Sequence, residues 1–222
     1  MLFKNIGVIN ESFGTTENLC VGIKNGKIEH IGGYREGYGE EFDGRGYLLA
    51  PAFCSAHSHT AMTLLRGVGG DLPLDRWLNE AVFPEEAKLK ERDIYNGTLA
   101  GCAEMLKYGT VSCNDMYFSG KAMADAYIDA GMKANISLAV TCFNGETEFK
   151  KLPVYDEYER LTEYLQDNKN VRFDYSTHAE YTNTEKSIAG VVERAAFHKT
   201  GLHIHMSETQ KEHEGCVGRH GL

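Results

Sequence analysis

Hydrophobic and polar positions follow two regimes that meet near residue 50. Before that point short alternating runs dominate. NLCVGIKNGKIEHIG sets two period-two segments around Asn25-Gly26, a dipeptide suited to a two-residue hairpin turn. A polar, glycine-rich stretch, GGYREGYGEEFDGRG, comes next. From Leu48 onward, short unalternating apolar runs take turns with amphipathic stretches of helical period. LLAPAFCSAH, GTVSCNDM, MKANISLAV, VRFDYSTH and LHIHMSE read as strands. Between them the pattern predicts a helical segment from Thr60, a long helix from about Glu91 to Tyr108, and helices over KAMADAYIDAG, YDEYERLTEYLQDN and EKSIAGVVERAAFHKTG. Gly109, Gly131 and Gly201 are expected to close three of these helices. Strands that do not alternate are buried on both faces, and strand-helix alternation joins them in parallel. The expected class is therefore α/β. Residues 1–50 form a small β domain, and residues 51–222 form a five-strand parallel sheet, either doubly wound or a barrel.

The predicted strand ends carry unusual chemistry. The first ends in His57-Ser58-His59 and the fourth in His178, while the fifth contains His203-Ile204-His205 with Glu208 just beyond. Residues two apart on a strand share a side, so His57 and His59 are able to converge on one ion. Imidazole is the commonest ligand for zinc and related metals. Ligands at the carboxyl ends of several parallel strands are how a (β/α)8 barrel assembles a site. A lone His-x-His is more simply a strand cap, but a third and a fourth histidine at equivalent positions favour a metal.

Composition narrows the partners. The 222 residues carry 32 acidic and 23 basic side chains, a formal charge of −9. This argues against nucleic acid or an anionic membrane surface as a partner, since no basic stripe is available to meet either. The N-terminus lacks a signal-peptide apolar core, and no run is long enough for a membrane span. Six scattered cysteines without a CxxC pair read as reduced thiols. A soluble cytoplasmic protein acting on a small molecule is expected.

The segment PAFCSAHSHTAMTLLRGVGGDLPLDRWLNEAVFPEEAKL, followed in order by GTVSCNDMYF, STHAEYT and HIHMSET, resembles the amidohydrolase superfamily. Within it the resemblance is to the branch of S-adenosylhomocysteine/5′-methylthioadenosine deaminases, guanine deaminases and triazine chlorohydrolases. It implies an incomplete (β/α)8 TIM-like metal-dependent hydrolase barrel, about strands 1–5, with part of a small N-terminal β-sandwich. On that reading residues 1–50 are the N-terminal part of a composite β-sandwich, and 51–222 the N-terminal part of the barrel. The resemblance further implies that His57, His59 and His205 ligate one divalent metal, zinc first and iron in some relatives. Glu208 would shuttle protons, His178 would contact substrate or developing charge, and Glu86 would hydrogen-bond the heterocycle, with Glu85 next to it as a register alternative. Trp77 is expected in the core or the pocket wall, and His203 in a supporting or structural role. Asp115 is expected to hydrogen-bond at a strand end rather than to ligate. The implied reaction is hydrolytic deamination of a purine-like or other N-heterocycle, with a metal-bound hydroxide attacking the amino-bearing ring carbon. Chloride displacement from a triazine uses the same attack and stays open.

Three features depart from the family pattern. His-Ala-Pro-Tyr is replaced by His178-Ala179-Glu180-Tyr181, and no arginine occurs between Arg92 and Arg160 to hold a substrate carboxylate. The family's strand-6 histidine and strand-8 aspartate ligand have no counterpart in these 222 residues. The chain is therefore expected to be truncated before strands 6–8, and the parent protein is the candidate homo-oligomer. A non-catalytic truncated product or partner-binding fragment is the alternative. A dihydroorotase-like amidase is disfavoured, because Lys133 begins its strand rather than ending it. An open barrel leaves two sheet edges exposed, so the polypeptide alone is expected to be inactive and poorly stable. Measurable ammonia release by the purified chain with stoichiometric metal would overturn that expectation.

Overall fold

Asn25 and Gly26 both take positive φ, +53° and +72°, the turn geometry whose twist matches that of the flanking strands. The hairpin expected there joins β2 (Thr15–Lys24) to β3 (Lys27–Gly32). We describe residues 1–145 and 147–221 from a computed structural model; they divide into two compact units, Met1–Ala52 and Phe53–Leu222. In the first unit β1 (Leu2–Ile9) pairs antiparallel with β2. It also pairs in parallel with two short strands, β4 (Glu41–Asp43) and β5 (Leu48–Leu49). Leu2, Ile6, Cys20 and Val21 are its buried apolar residues.

The second unit holds the parallel sheet. β6 (Phe53–Ser58), β7 (Thr110–Tyr117), β8 (Lys133–Leu138) and β9 (Val171–Phe173) pair in that order. β10 (Tyr175–Ala179) pairs with β11 (Leu202–His205). The run VRFDYSTH, expected as one strand, is thus broken at Asp174. The Asp174 carboxylate accepts from Asn135 Nδ2 at 2.5 Å and from the Gly201 N–H at 2.8 Å, which ties neighbouring strands together.

Short helical segments follow β6. A 3-10 helix spans Thr60–Leu65, and residues 74–86 run through α1 (Leu74–Arg76), a π turn (Trp77–Val82) and α2 (Phe83–Glu86). The longer helices are α3 (Glu91–Lys107), α4 (Gly120–Ala130), α5 (Pro153–Leu165), α6 (Glu185–His198) and α7 (Gln210–His220). Gly109 and Gly131 adopt positive φ just past α3 and α4 as expected. At α6 the left-handed residue is Lys199, φ +56°, rather than Gly201; its N–H closes back onto Ala195 and Ala196. Among the described residues no helix is long and apolar enough to cross a membrane.

Two packing details fix the sheet and its first loop. On α3, a Cβ at Gly97 would lie 2.5 Å from the Ala61 carbonyl oxygen, and one at Gly101 would lie 2.4 Å from Thr60 Cγ2. Only glycine lets α3 approach the Thr60–Leu65 turn so closely. On α5, the buried Tyr158 hydroxyl enters the seam between β8 and β10. It accepts from the Leu138 N–H at 2.9 Å and the Ser176 N–H at 3.0 Å, and lies 3.2 Å from the Leu138 carbonyl oxygen to which it donates. Further along, the Asp174 and His178 N–H groups donate to Ile136 and Val140, so the seam is continuous. Tyr158→Phe should leave two buried N–H groups without an acceptor, at about 1–3 kcal/mol each. Urea denaturation is expected to show a loss of at least that order, with an unchanged m-value.

Candidate metal centre

A flat sheet of five strands would hold its outer strands about 19 Å apart. Here side chains from the two outer strands meet. His205 Nε2, on β11, is 3.2 Å from His57 Nε2, at the opposite end on β6, and 3.2 Å from His59 Nε2 in the following residue pair. The sheet has therefore curled into an arc with these three rings on its concave side. His57, His59 and His205 form the metal-capable group found among the described residues, with ligand atoms all within 4.8 Å of one another.

The geometry suits a small divalent ion. Tetrahedral ligands at 2.0–2.1 Å lie about 3.3 Å apart, close to both measured separations. Two neutral imidazoles cannot direct lone pairs at each other across 3.2 Å without repulsion, and a cation between them turns that repulsion into bonding. The outer nitrogens are held as metal-ligating histidines require. His59 Nδ1 donates to the Met116 carbonyl at 2.5 Å, and His205 Nδ1 donates to the His178 carbonyl at 2.6 Å. His57 Nδ1 lies 2.9 Å from His203 Nε2. The donor set therefore fits a metal with three protein ligands and an open side. Burial, reinforced by the neighbouring rings, pushes the His59, His178 and His203 rings down to about 4. All three are thus kept neutral at physiological pH.

The open side faces a cavity of about 630 Å³ at the carboxyl ends of the strands. All six residues singled out from the sequence border it: His57, His59, His205, His178, Glu86 and Glu208. Glu86 accepts from the Tyr117 hydroxyl at 2.7 Å, and burial raises its pKa. Glu85, the register alternative, instead pairs with Lys88 on the exposed face at 2.6 Å. His178 Nδ1 lies 3.1 Å from Thr182 Oγ1. Glu208 follows Ser207, whose φ of +52° turns the chain back after β11; its Oε2 accepts from the Tyr181 hydroxyl at 3.2 Å. Trp77 lines the cavity, with its indole N–H donating to the Val68 carbonyl at 2.8 Å. Leu78, Val82, Phe83 and Phe143 add an apolar wall. Glu180, which replaces the family's proline, is paired with Arg219 at 2.5 Å.

Asp115 does not ligate. It is fully buried, and its carboxylate accepts from the Thr60 N–H at 2.9 Å and the Tyr127 hydroxyl at 2.8 Å. It thereby holds the residue after His59. Sequence reasoning passed over Tyr117 and Tyr181, which anchor the two cavity carboxylates. Both sat inside motif blocks already singled out, one residue past Met116 and three past His178. The Met116 and His178 carbonyls had no signal at all, because backbone acceptors leave no mark on composition.

A curled parallel α/β sheet with a histidine cluster at its carboxyl edge is a barrel-type arrangement with a candidate metal site. Comparison with known proteins specifies the family. Residues 48–222 match the amidohydrolase family. A 5-methylthioadenosine/S-adenosylhomocysteine deaminase of Dictyoglomus thermophilum is 36% identical over 188 residues, covering 81% of this chain and 42% of that protein. A 5′-deoxyadenosine deaminase of Methanosarcina acetivorans is 34% identical over 225 residues, covering 100% of this chain and 52% of that protein. The crystal structure of an adenosine deaminase from Xanthomonas campestris with bound zinc superposes with a TM-score of 0.86 at 27% identity, over 99% of this chain and 52% of that one. The chain belongs to the amidohydrolase family, shares the fold of the matching half of that deaminase, and spans about half the length of the curated relatives it matches.

The neutral rings make stability depend on pH. An unfolded histidine titrates near 6.5, so between pH 6.5 and 4 the unfolded chain binds protons that the folded rings at 59, 178 and 203 refuse. Their contribution is full above about pH 6.5 and is lost as pH falls toward 4. Asp115, pushed up to about 6 by burial, opposes this over the lower part of the window, but three rings outweigh one carboxyl. Metal-free urea midpoints are expected to fall across that range, and added zinc to raise them wherever it stays bound.

Proposed function

We propose that the protein is a metal-dependent hydrolytic deaminase of a purine-like N-heterocycle, with adenine nucleosides as the first candidates. One observation carries this reading: three imidazole Nε2 atoms converge on the wall of a cavity that also presents two carboxylates, Glu208 and Glu86. The relatives at 34–36% identity are deaminases of adenosine derivatives, which favours loss of ammonia over displacement of chloride.

His57, His59 and His205 would hold one divalent ion, zinc first and iron as the alternative. When bound, that ion supplies a Lewis acid that lowers the pKa of water toward neutrality. Glu208, beside the Tyr181 hydroxyl, takes a proton from the attacking water. It would deliver that proton to the ring nitrogen, then carry the second proton, from the added hydroxyl, to the amino group, which leaves as ammonia. Glu86, steadied by Tyr117, would hydrogen-bond the edge of the heterocycle, and Phe83, Phe143 and Trp77 line the same cavity. His178, on the cavity wall, would donate to developing charge. The acidic balance of the chain supports a small-molecule substrate over nucleic acid or a membrane. Six free cysteines support a cytoplasmic setting. Residues 1–50 are read as part of a composite β-sandwich, residues 51–222 as part of the barrel, and the parent protein as the candidate oligomer.

The test reads binding first. The chain is expected to take up one zinc, and His205→Ala to abolish it, by metal analysis after gel filtration. Calorimetry is expected to detect adenosine or 5′-methylthioadenosine binding, weakened about tenfold or more by Glu86→Ala, the loss of a charge-assisted hydrogen bond. Whatever turnover the chain supports should fall about 10²–10⁴-fold in Glu208→Gln with zinc retained. A zinc-loaded chain that binds none of these compounds, or deamination indifferent to chelators, would overturn the proposal.

A further inference from the structure

His59 and His205 each donate Nδ1–H to a backbone carbonyl, of Met116 and His178. A carbonyl only accepts, so both rings are locked with the Nε2 lone pair facing the centre. His57 has no such carbonyl. Its Nδ1 faces His203 Nε2 at 2.9 Å, and a neutral imidazole nitrogen is able to donate or to accept. That contact alone therefore leaves His57 free to present either a lone pair or an N–H to the ion.

The next two links extend the contact inward in a way that supports the metal-binding direction. His203 Nδ1 lies 3.1 Å from Ser137 Oγ, and the Ser137 hydroxyl donates to the Asp115 carbonyl at 3.3 Å. A cation at the centre requires the His57 Nε2 lone pair, and with Ser137 donating to that carbonyl its Oγ accepts from His203 Nδ1–H. His203 is then left with a lone pair on Nε2, which accepts from His57 Nδ1–H. The His57 Nε2 lone pair consequently points at His205 Nε2, 3.2 Å away. Ser137 is 1% exposed on β8, His203 sits on β11 and His57 on β6. The relay thus crosses the interior of the arc, from Ser137 through His203 to His57.

We infer that His203 is a positioning residue for the metal centre, transmitting a fixed hydrogen-bond direction from Ser137 to His57 so that His57 offers its Nε2 lone pair to the ion. The inference rests on the metal reading given above. It adds a fourth histidine that touches neither ion nor substrate, and a serine behind it.

Zinc affinity of the full 222-residue chain, measured by chelator competition, tests the inference in three variants. In His203→Leu the acceptor is lost while apolar bulk is kept, and affinity should fall about 10–100-fold. His203→Gln places an amide oxygen near the former Nε2 and should stay within about threefold of the parent chain. Ser137→Ala leaves the two rings in contact but frees their direction, and should give an intermediate loss. A second readout is taken on the zinc-loaded chain. ¹⁵N NMR should find His57 ligated through Nε2, with its Nδ1 proton protected from solvent exchange in the parent and in His203→Gln and open to exchange in His203→Leu. A purely structural histidine would move the melting temperature of these variants without separating the Gln from the Leu variant in that exchange. Parent-like zinc affinity in His203→Leu, equal loss in the Gln and Leu variants, or His57 protonated on Nε2 in the parent would each overturn the inference. If the parent chain binds no zinc at all, the metal reading itself fails.

Discussion

The site depends on one constraint, the curl that brings the inward side chains of β6 and β11 within 3.2 Å of each other. Neither strand pairs with the other. What joins them is polar contact across the concave face, His57 with His205 and with His203. Imidazoles in such contact would repel if their lone pairs met, which makes the cluster a poor core and a good cradle for a cation. Its outer nitrogens are engaged by acceptors on β7, β10 and β11. The rings are therefore aimed by the sheet itself and not by flexible loops, the condition for holding a reactive geometry to a fraction of an ångström.

Around that cluster the polar interior serves to fix the backbone. Asp115 gives up its solvation to hold the Thr60 N–H and the Tyr127 hydroxyl, and burial raises its carboxyl to about 6 as a result. Gly97 and Gly101 on α3 allow the Thr60–Leu65 turn to lie against the helix. Together they pin the residue after His59 from two sides. Tyr158 does the same for the far half of the arc, closing the seam between β8 and β10 with a side-chain hydroxyl where ladder bonds stop. Buried polar groups are costly unless satisfied, and these sit where strand geometry leaves a backbone group in want of a partner.

Much of this was legible in the amino-acid pattern. Unalternating apolar runs separated by helical periods announced a parallel sheet, and Asn25-Gly26 announced the hairpin of the first unit. His57, His59, His178 and His205, together with Glu86 and Glu208, all reach one cavity. The readings that failed did so for local reasons. Asp174 interrupts a run that looked continuous, because its carboxylate serves two neighbouring backbone and side-chain donors. Lys199 takes a left-handed conformation two residues ahead of the glycine expected to do so.

Residue identity and spacing by themselves determined the order of elements, the class of sheet and which side chains have metal-binding chemistry, because each follows from periods of two or 3.6 residues and from donor type. They could not determine that His57 and His205, 148 positions apart, share one point in space, that Glu86 rather than Glu85 enters the cavity, or that Ser137 sets the direction of a histidine on another strand. Those outcomes were decided by the curvature of the sheet and by backbone carbonyls. Curvature is a cooperative property of all the strands together, and a carbonyl is the same in every residue, so neither leaves a mark that any one position in the sequence carries.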